Sequence, residues 1–553
     1  MNIYLNPDQT KIGIEFPYDS LTVARVRAIP GTRWLPTRKM WVAPKDMPTY
    51  EALRLNFPVA TWDGRIHDWA KEFNNQAATN GLMKDGAHSL SEAGWSFKTK
   101  PYDHQKRGLT LVENNPAFAL CMEMGTGKTK VIIDLLSNLK RRQGNIKVLV
   151  VCPLSVVGNW QRECAIHADN LTASLVVGDR YERANALLAK TDVYVINYAG
   201  MRTMVDVLSK MDWDVMICDE SHNIKNRTAQ QSKACYMVGK KAQRRYILTG
   251  TLVTNKPLDV FGQFKFLDEA ILGQNYFAFQ SRYAIMATRG KAQFPVAFRN
   301  VEELSNRLAP WSYRVLKSEC LDLPEKVYET RYSELNPEAA AIYKSLGSEL
   351  VAELRGGDIV VASIILTKLL RFSQITAGFV TTASGEIREV GDRGKIKVLL
   401  ELLDEAQGKA VVWVRFRKEM EMVREVLRDK GIGHVSLSGE DSQADRQEAI
   451  ERFDRDDGVK VFVGQIEAGG TGINLTAASL CVYMTNSYSL GTRLQSEDRL
   501  HRINQKQNVT YVDIVCPGTI DEHVIKLLRA KKSVADQINQ DHRAVLEMIG
   551  DVA

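Results

Sequence analysis

The stretch Ala117-Phe118-Ala119-Leu120-Cys121-Met122-Glu123-Met124-Gly125-Thr126-Gly127-Lys128-Thr129 decides the fold class of this 553-residue chain. An apolar run of strand length enters a loop with glycines at 125 and 127. Val131, Ile132, Leu135, Leu136 and Leu139 then give the following segment one apolar helical face. Strand, glycine loop and helix in that order make a βα unit. Its loop N–H groups, with Lys128 and Thr129 opening the helix, form a cradle for a phosphate chain. The strict form of the pattern has glycine at position 122, where this chain has methionine.

Outward from this unit, apolar strands alternate with amphipathic helices, the pattern of a parallel α/β sheet. The first series of expected strands is Ala117 to Met122, Val148 to Cys152, Val193 to Asn197, Val215 to Cys218 and Tyr246 to Leu248. A second series is Val411 to Val414, His434 to Leu437, Val461 to Gly464, Cys481 to Met484 and Thr510 to Val515. Two α/β lobes follow. Between them, from about 257 to 393, the sequence reads as helical and irregular, with helices expected around Glu302–Leu308 and Ile364–Leu370.

Asp219-Glu220-Ser221-His222 follows the apolar run Val215–Cys218, which places two carboxylates at the carboxyl end of a sheet, where open α/β folds bind ligands. A divalent cation on a nucleotide needs a hard oxygen, and an attacking water needs a base. Asp219 suits the first role and Glu220 the second. Arg499 and Arg502, three residues apart, are expected on one face of a helix roughly 370 residues beyond the glycine loop. A nucleotide held between two lobes, with arginines supplied from the second, gives that pair a purpose.

Composition narrows the class. Charged residues make up 25% and hydrophobic ones 44%, and no apolar run has the length of a membrane span. No secretory signal is visible at Met1–Asp8. The eight cysteines are scattered without metal-site spacing and read as reduced core residues of an intracellular protein. A net charge of +7 fits a polyanionic partner. Near the start, Asp19 is placed to cap a helix from Ser20 to Ala28, and the segments at Arg33–Pro36 and Lys39–Val42 read as a strand pair. From Arg25 through Lys45 there are six basic side chains and no acidic one, interleaved with Trp34 and Trp41. That run reads equally as a small core with a charged rim or as a nucleic-acid face.

The ordered motifs resemble superfamily 2 helicases and translocases, and more closely their Swi/Snf-type branch, over roughly Lys98 to Leu528. Pro101–Gln105 resembles the adenine-reading segment, and Cys152–Trp160 a DNA-strand motif. Leu248–Thr251 with Asn255 resembles a coupling motif, and Leu323–Lys326 a signature closing the first lobe. Ser438-Gly439, Arg446, Phe453, Glu467–Leu475 and Gln495–Gln505 are similar to the later motifs. The resemblance implies two RecA-like parallel-sheet lobes with helical insertions, ATP and Mg2+ as cofactors, and DNA, duplex and branched, as partner, with no membrane role. It implies catalytic roles for Lys128, Glu220, Arg499 and Arg502. Nucleotide contacts would come from Gln105, Gly125, Thr126, Gly127, Lys128, Thr129, Asp219, Gly472, Arg499 and Arg502. Coupling would fall to His222, Thr249 and Gln495, and metal binding to Thr129 and Asp219 with Glu220. Ser221 and Asn504 depart from the branch pattern.

Phe16–Asp19 and Gly31–Trp41 resemble the HARP domain of annealing helicases. The implied organisation is a small α+β HARP-like domain at 1–62, a linker at 63–96 and lobe 1 at 97–326 with a helical protrusion from about 257. A helical insertion and linker at 327–393, lobe 2 at 394–530 and a closing helix at 531–553 complete it. The basic end of that helix reads as a brace, a DNA contact or a solvated face. Three functions fit: a duplex translocase that remodels, reanneals or branch-migrates forked DNA, a strand-separating DNA or RNA helicase, and a noncatalytic DNA-binding scaffold.

Overall fold

A computed structural model describes all residues except 86–93, 251, 254–255, 290–291, 321–322, 356–361, 383–384, 392, 407, 468–472, 503–504 and 540–553. The chain divides into two compact units, the first running to Cys320 and the second from Leu321 to Ser533.

The first unit opens with strands β1 (Asn2–Leu5), β2 (Lys11–Glu15), β3 (Arg33–Leu35), β4 (Met40–Pro44) and β5 (Thr61–Trp62), in sheet order β3-β4-β2-β1-β5. Helix α1 (Ser20–Ala28) starts at the expected cap, with the Asp19 carboxylate accepting from the Thr22 N–H. Trp34 lies opposite Trp41 across the β3–β4 pair, yet the two differ: Trp41 is buried and Trp34 is 46% exposed on the edge strand. Helix α2 (Met47–Asn56) is capped by Asp46.

Residues 63–96, read from composition as a linker, contain the 21-residue helix α3 (Gly64–Lys84). Its Asn, Ala and Gly content misled because the helix is held by packing. Phe73 lies 4.6 Å from the Trp311 ring, and buried Asn80 donates to Asn115 Oδ1 at 3.0 Å. The N-terminal sheet is likewise fastened to the rest of the unit. Asp46 Oδ2 accepts the Gln274 N–H at 3.0 Å, and Arg307 pairs with Glu51 at 2.7 Å.

After helix α4 (Asp103–Asn114) come β6 (Ala117–Met122), helix α5 (Lys128–Gln143), β7 (Val148–Cys152), helix α6 (Val157–His167), β8 (Ala173–Val176), β9 (Val193–Asn197), β10 (Val215–Asp219) and β11 (Arg244–Leu248). Strands β12 (Ala284–Arg289) and β13 (Ala292–Phe298) form a separate hairpin, and β14 (Ser312–Val315) joins the main sheet. The order is β14-β6-β11-β10-β7-β9-β8, all parallel, around a core that includes Phe118, Leu120, Val150 and Ile217. Crossovers on both sides of β10 place the loops after β6 and β10 at one sheet edge.

The second unit begins a strand earlier than the sequence implied. Lys326–Tyr332, expected at the junction of lobe 1 and a helical insertion, is strand β15, paired in parallel with the last strand of this unit from Lys326↔Val509 to Tyr332↔Val515. An exposed edge strand carries half its residues as polar side chains, which concealed it. Next come a short hairpin, β16 (Phe379–Thr381) and β17 (Ile387–Glu389), then β18 (Lys409–Val414), β19 (His434–Leu437), β20 (Val461–Gln465), β21 (Ala478–Tyr483) and β22 (Val509–Val515). The main sheet runs β15-β22-β21-β18-β20-β19, again parallel. The structure is thus α/β, with two RecA-like parallel-sheet lobes and a small N-terminal sheet domain. The closing helix covers Ile520–Asn539. The region between lobes, expected to be helical, also carries the β12–β13 and β16–β17 hairpins.

Candidate active site

The glycine loop sits where β6 meets α5. Gly125 and Gly127 hold φ of 88° and 91°, left-handed values that side chains disfavour. A Cβ at position 127 would come 2.1 Å from Gln105 Nε2, so any side chain there would displace Gln105 from the loop. Gln105 and His104 both turn to the loop from α4: Gln105 Nε2 donates to the Thr126 carbonyl at 3.1 Å, and His104 Nε2 lies 2.8 Å from the same oxygen. Gln105 Oε1 accepts the Tyr102 N–H. Gln105, expected to read the base, thus also braces the loop. Glu123 ties the loop start to β14, its N–H donating to the Val315 carbonyl and its carboxylate accepting the Lys317 N–H.

Lys128 is buried at the start of α5, and Thr129 beside it is half-buried. Two places along, Lys130 donates to the Thr99 carbonyl and pairs with Asp134 at 2.7 Å, which commits it to the fold.

Asp219 ends β10 and Glu220 turns the chain with φ 49°, a left-handed conformation unusual for a residue with a side chain. Such strain marks positions where placement of a group outweighs backbone comfort. Both oxygens of Asp219 are engaged: Oδ1 accepts the Glu220 N–H and Oδ2 the Trp160 indole N–H, each at 2.9 Å. Tyr198 Oη donates to the Asp219 carbonyl at 2.7 Å. Burial, and next the Glu220 charge, push the Asp219 carboxyl up to about 6, while Lys128 pulls it down. His222 Nδ1 lies 3.4 Å from Glu220 Oε2.

Ser221, the departure in this motif, has a definite use. Its hydroxyl donates to Gln263 Oε1 at 2.6 Å, and Gln263 Nε2 donates to the Leu252 carbonyl, linking the acidic turn to the segment after β11. Thr249, buried at the end of β11, donates its N–H to the Leu120 carbonyl. Thr251 and Asn255 lie outside the described residues, as do Gly472 and Asn504.

In the second unit, the helix Leu490–Glu497 stops before the arginine pair. Arg499 and Arg502 therefore lie in the turns beyond it and do not share a helical face. The cause is local: the Arg499 N–H reaches back to Ser496 O, and Leu500 is drawn into the core. Arg499 is fully buried, whereas Arg502 is half-buried with Nη1 donating to the Ile473 carbonyl at 3.2 Å. Gln495 is half-buried on the helix itself.

Sequence reasoning missed Arg493. Its guanidinium stacks 3.5 Å from the Tyr483 ring centroid and pairs with Glu497 and Asp513, while Lys326 and Tyr328 also converge on Glu497. The i,i+4 spacing of Arg493 and Glu497 was its signal.

Among the described residues no cluster of three or more His, Cys, Asp or Glu could hold a metal by itself, and no helix is long and apolar enough to cross a membrane. Residues 104–377 match the SNF2-related domain, and residues 394–504 match the helicase conserved C-terminal domain. The chain carries an SNF2-related domain followed by a helicase C-terminal domain.

The SNF2-related match begins at the loop-bracing helix α4 and takes in the Asp219 turn, while the helicase C match reaches the arginines. Among relatives, a Bacillus subtilis putative ATP-dependent helicase/translocase, YwqA, is 28% identical over 475 residues, covering 82% of this chain and 50% of that protein. The Schizosaccharomyces pombe TATA-binding protein-associated factor mot1 is 27% identical over 509 residues, covering 78% of this chain and 26% of that protein. The chain thus spans half or less of the length of these curated relatives. A Sulfolobus solfataricus SWI2/SNF2 ATPase core solved in complex with dsDNA is 28% identical, covering 82% of this chain and 95% of that one, with a TM-score of 0.41. That superposition is loose, and the assignment stands on the domain matches.

Proposed function

We propose that this SNF2-related chain is an ATP-dependent motor that translocates on duplex DNA and remodels, reanneals or branch-migrates forked DNA. The observation that carries the reading is the placement of the glycine loop opening at Lys128 and of the Asp219–Glu220 turn at the carboxyl ends of β6 and β10 in one parallel sheet. The donor set suits ATP with Mg2+: loop N–H groups and Lys128 for phosphates, and the hard oxygens of Thr129 and Asp219 for the cation. Bound MgATP supplies the reactive phosphoryl group. Glu220, turned out of β10, orients a water and takes its proton at the carboxylate. Lys128 would neutralise the β and γ phosphates, and the resemblance gives Arg502, with Arg499 in support, the charge that develops on the transferred group.

DNA as the track is supported by the helicase/translocase description of the Bacillus subtilis relative and by the positive net charge of this chain. The HARP-like reading is supported by exposed Trp34 on edge strand β3 within a segment of six basic and no acidic residues. An ATPase assay with and without duplex DNA tests the motor. Lys128→Ala, Glu220→Gln and Arg502→Ala should each lower turnover by about 10³-fold or more with the fold intact; an Arg502→Ala protein with normal turnover would remove the arginine from the mechanism.

A further inference from the structure

Strand β15 is the outer strand of the second unit's main sheet: it pairs with β22 on one side, and no strand among the described residues takes its other side. The ladder shows which groups face out. Val509 donates its N–H to the Glu325 carbonyl, and the Ser333 N–H donates to the Val515 carbonyl. Positions 325 and 333, and with them the odd positions between, therefore turn their amides toward β22, and the even positions turn theirs to the open edge. Thr330 and Tyr332 thus present N–H and carbonyl groups outward. Side chains alternate as well, with Tyr328, Thr330 and Tyr332 on one face and Val327, Glu329 and Arg331 on the other. The Tyr328 and Tyr332 side chains are 48% and 63% exposed.

An open edge invites another strand, and charged side chains ordinarily discourage one. On β15 the charges favour one partner, a second copy of the strand. Set antiparallel against itself about Thr330, the strand places Glu329 opposite Arg331 of the second copy and Tyr328 opposite Tyr332 of the second copy, each twice by symmetry. Even positions then meet even positions, so the outward amides bond to one another, and the charged residues occupy the close, non-hydrogen-bonded sites. Within the chain Arg331 pairs with Glu329 at 2.6 Å and with Glu405 at 2.9 Å. The second copy extends that pair into a square of alternating charge. Centring the pair on Glu329 or on Arg331 opposes like charges, and centring it on Tyr328 or on Tyr332 sets Glu329 against Val327 or Leu335. The side chains therefore select the register about Thr330.

We propose that β15 is a self-association surface, through which two copies of this chain join their second-unit sheets across an antiparallel β15–β15 pair centred on Thr330. The interface is a single strand pair, so the dimer belongs to the weak class, with a dissociation constant on the order of micromolar. It stands independently of the motor reading. The test is sedimentation of the full chain at concentrations from about 1 to about 100 micromolar, over which wild type should pass from monomer to dimer. Thr330→Pro removes an outward N–H and leaves the β15–β22 ladder whole, so it should weaken the dimer about tenfold or more at an unchanged melting temperature. Glu329→Arg and Arg331→Glu should each weaken it similarly, because each opposes like charges across the pair. Mixed in equal amounts, those two chains should form a heterodimer within about threefold of wild-type affinity, since each supplies the charge that the other lacks. Should Arg331→Glu melt early for want of its Glu405 pair, Thr330→Pro and Glu329→Arg carry the test. A wild type that stays monomeric throughout, a dimer unmoved by Thr330→Pro, or two folded single variants that fail to pair with each other would overturn the proposal.

Discussion

The chemistry converges on one carboxylate held from several sides. Asp219 takes the Trp160 N–H on one oxygen and the Glu220 N–H on the other, while Tyr198 fixes its carbonyl, so its orientation is set by the fold. Trp160→Phe keeps an aromatic ring, though a smaller one, and removes the donor. The expected result is about a tenfold rise in the Mg2+ needed to tighten binding of a fluorescent ADP analogue, with metal-free nucleotide binding unchanged. Glu220→Gln carries a second signature, in stability. The Asp219 carboxyl titrates near 6 rather than at its ordinary 3.8, so the folded state loses stability as pH rises from the ordinary value through about 6. Removing the Glu220 charge lowers the folded value toward the unfolded one. The variant should therefore melt several degrees above wild type at pH 8, and the gap should vanish below about pH 4. A thermal melt across that range checks it.

At the scale of elements, what was legible depended on where each strand sits. Central strands such as Val148–Cys152 and Val193–Asn197 are buried on both faces and read as unbroken apolar runs. The edge strands β8, β14 and β15 were missed, because a half-exposed strand alternates and Lys326–Tyr332 holds four charged or polar positions among aromatic ones. Asp219 and Lys128 were legible because their chemistry needs a local pattern; Tyr198 and Gln263 were not, and Trp160 was read only as the end of a DNA-strand motif, because their bonds to the acidic turn arise through the fold. The arginine pair shows the limit of periodicity: spacing of three suits a helix, yet burial of Leu500 ends the helix at Glu497. Helix α3 carries the corresponding prediction. A chain beginning at Phe97 would strip Phe73 and Asn80 from Trp311 and Asn115 and should melt well below the full chain. The role of the N-terminal sheet is therefore better tested in the full chain. Trp34→Ala with Arg38→Glu should leave melting unchanged and lower any preference for forked over linear duplex, measured by competition binding.

For the whole molecule, the first unit carries the glycine loop and the acidic turn at the edge of one parallel sheet, together with an N-terminal sheet domain fastened to it whose edge strand β3 exposes Trp34 in a basic segment. The chain spans at most half of the curated relatives it matches, so its activity is tested on the chain itself. The most direct measurement is the steady-state rate of phosphate release with Mg2+ and ATP against linear duplex DNA, forked DNA, single-stranded DNA and RNA. A duplex motor that acts on forks predicts a low unstimulated rate, stimulation of tenfold or more by linear duplex, more by forked DNA, and none of it in Lys128→Ala. A rate raised only by single strands or RNA, or left unchanged by every nucleic acid, would contradict the account.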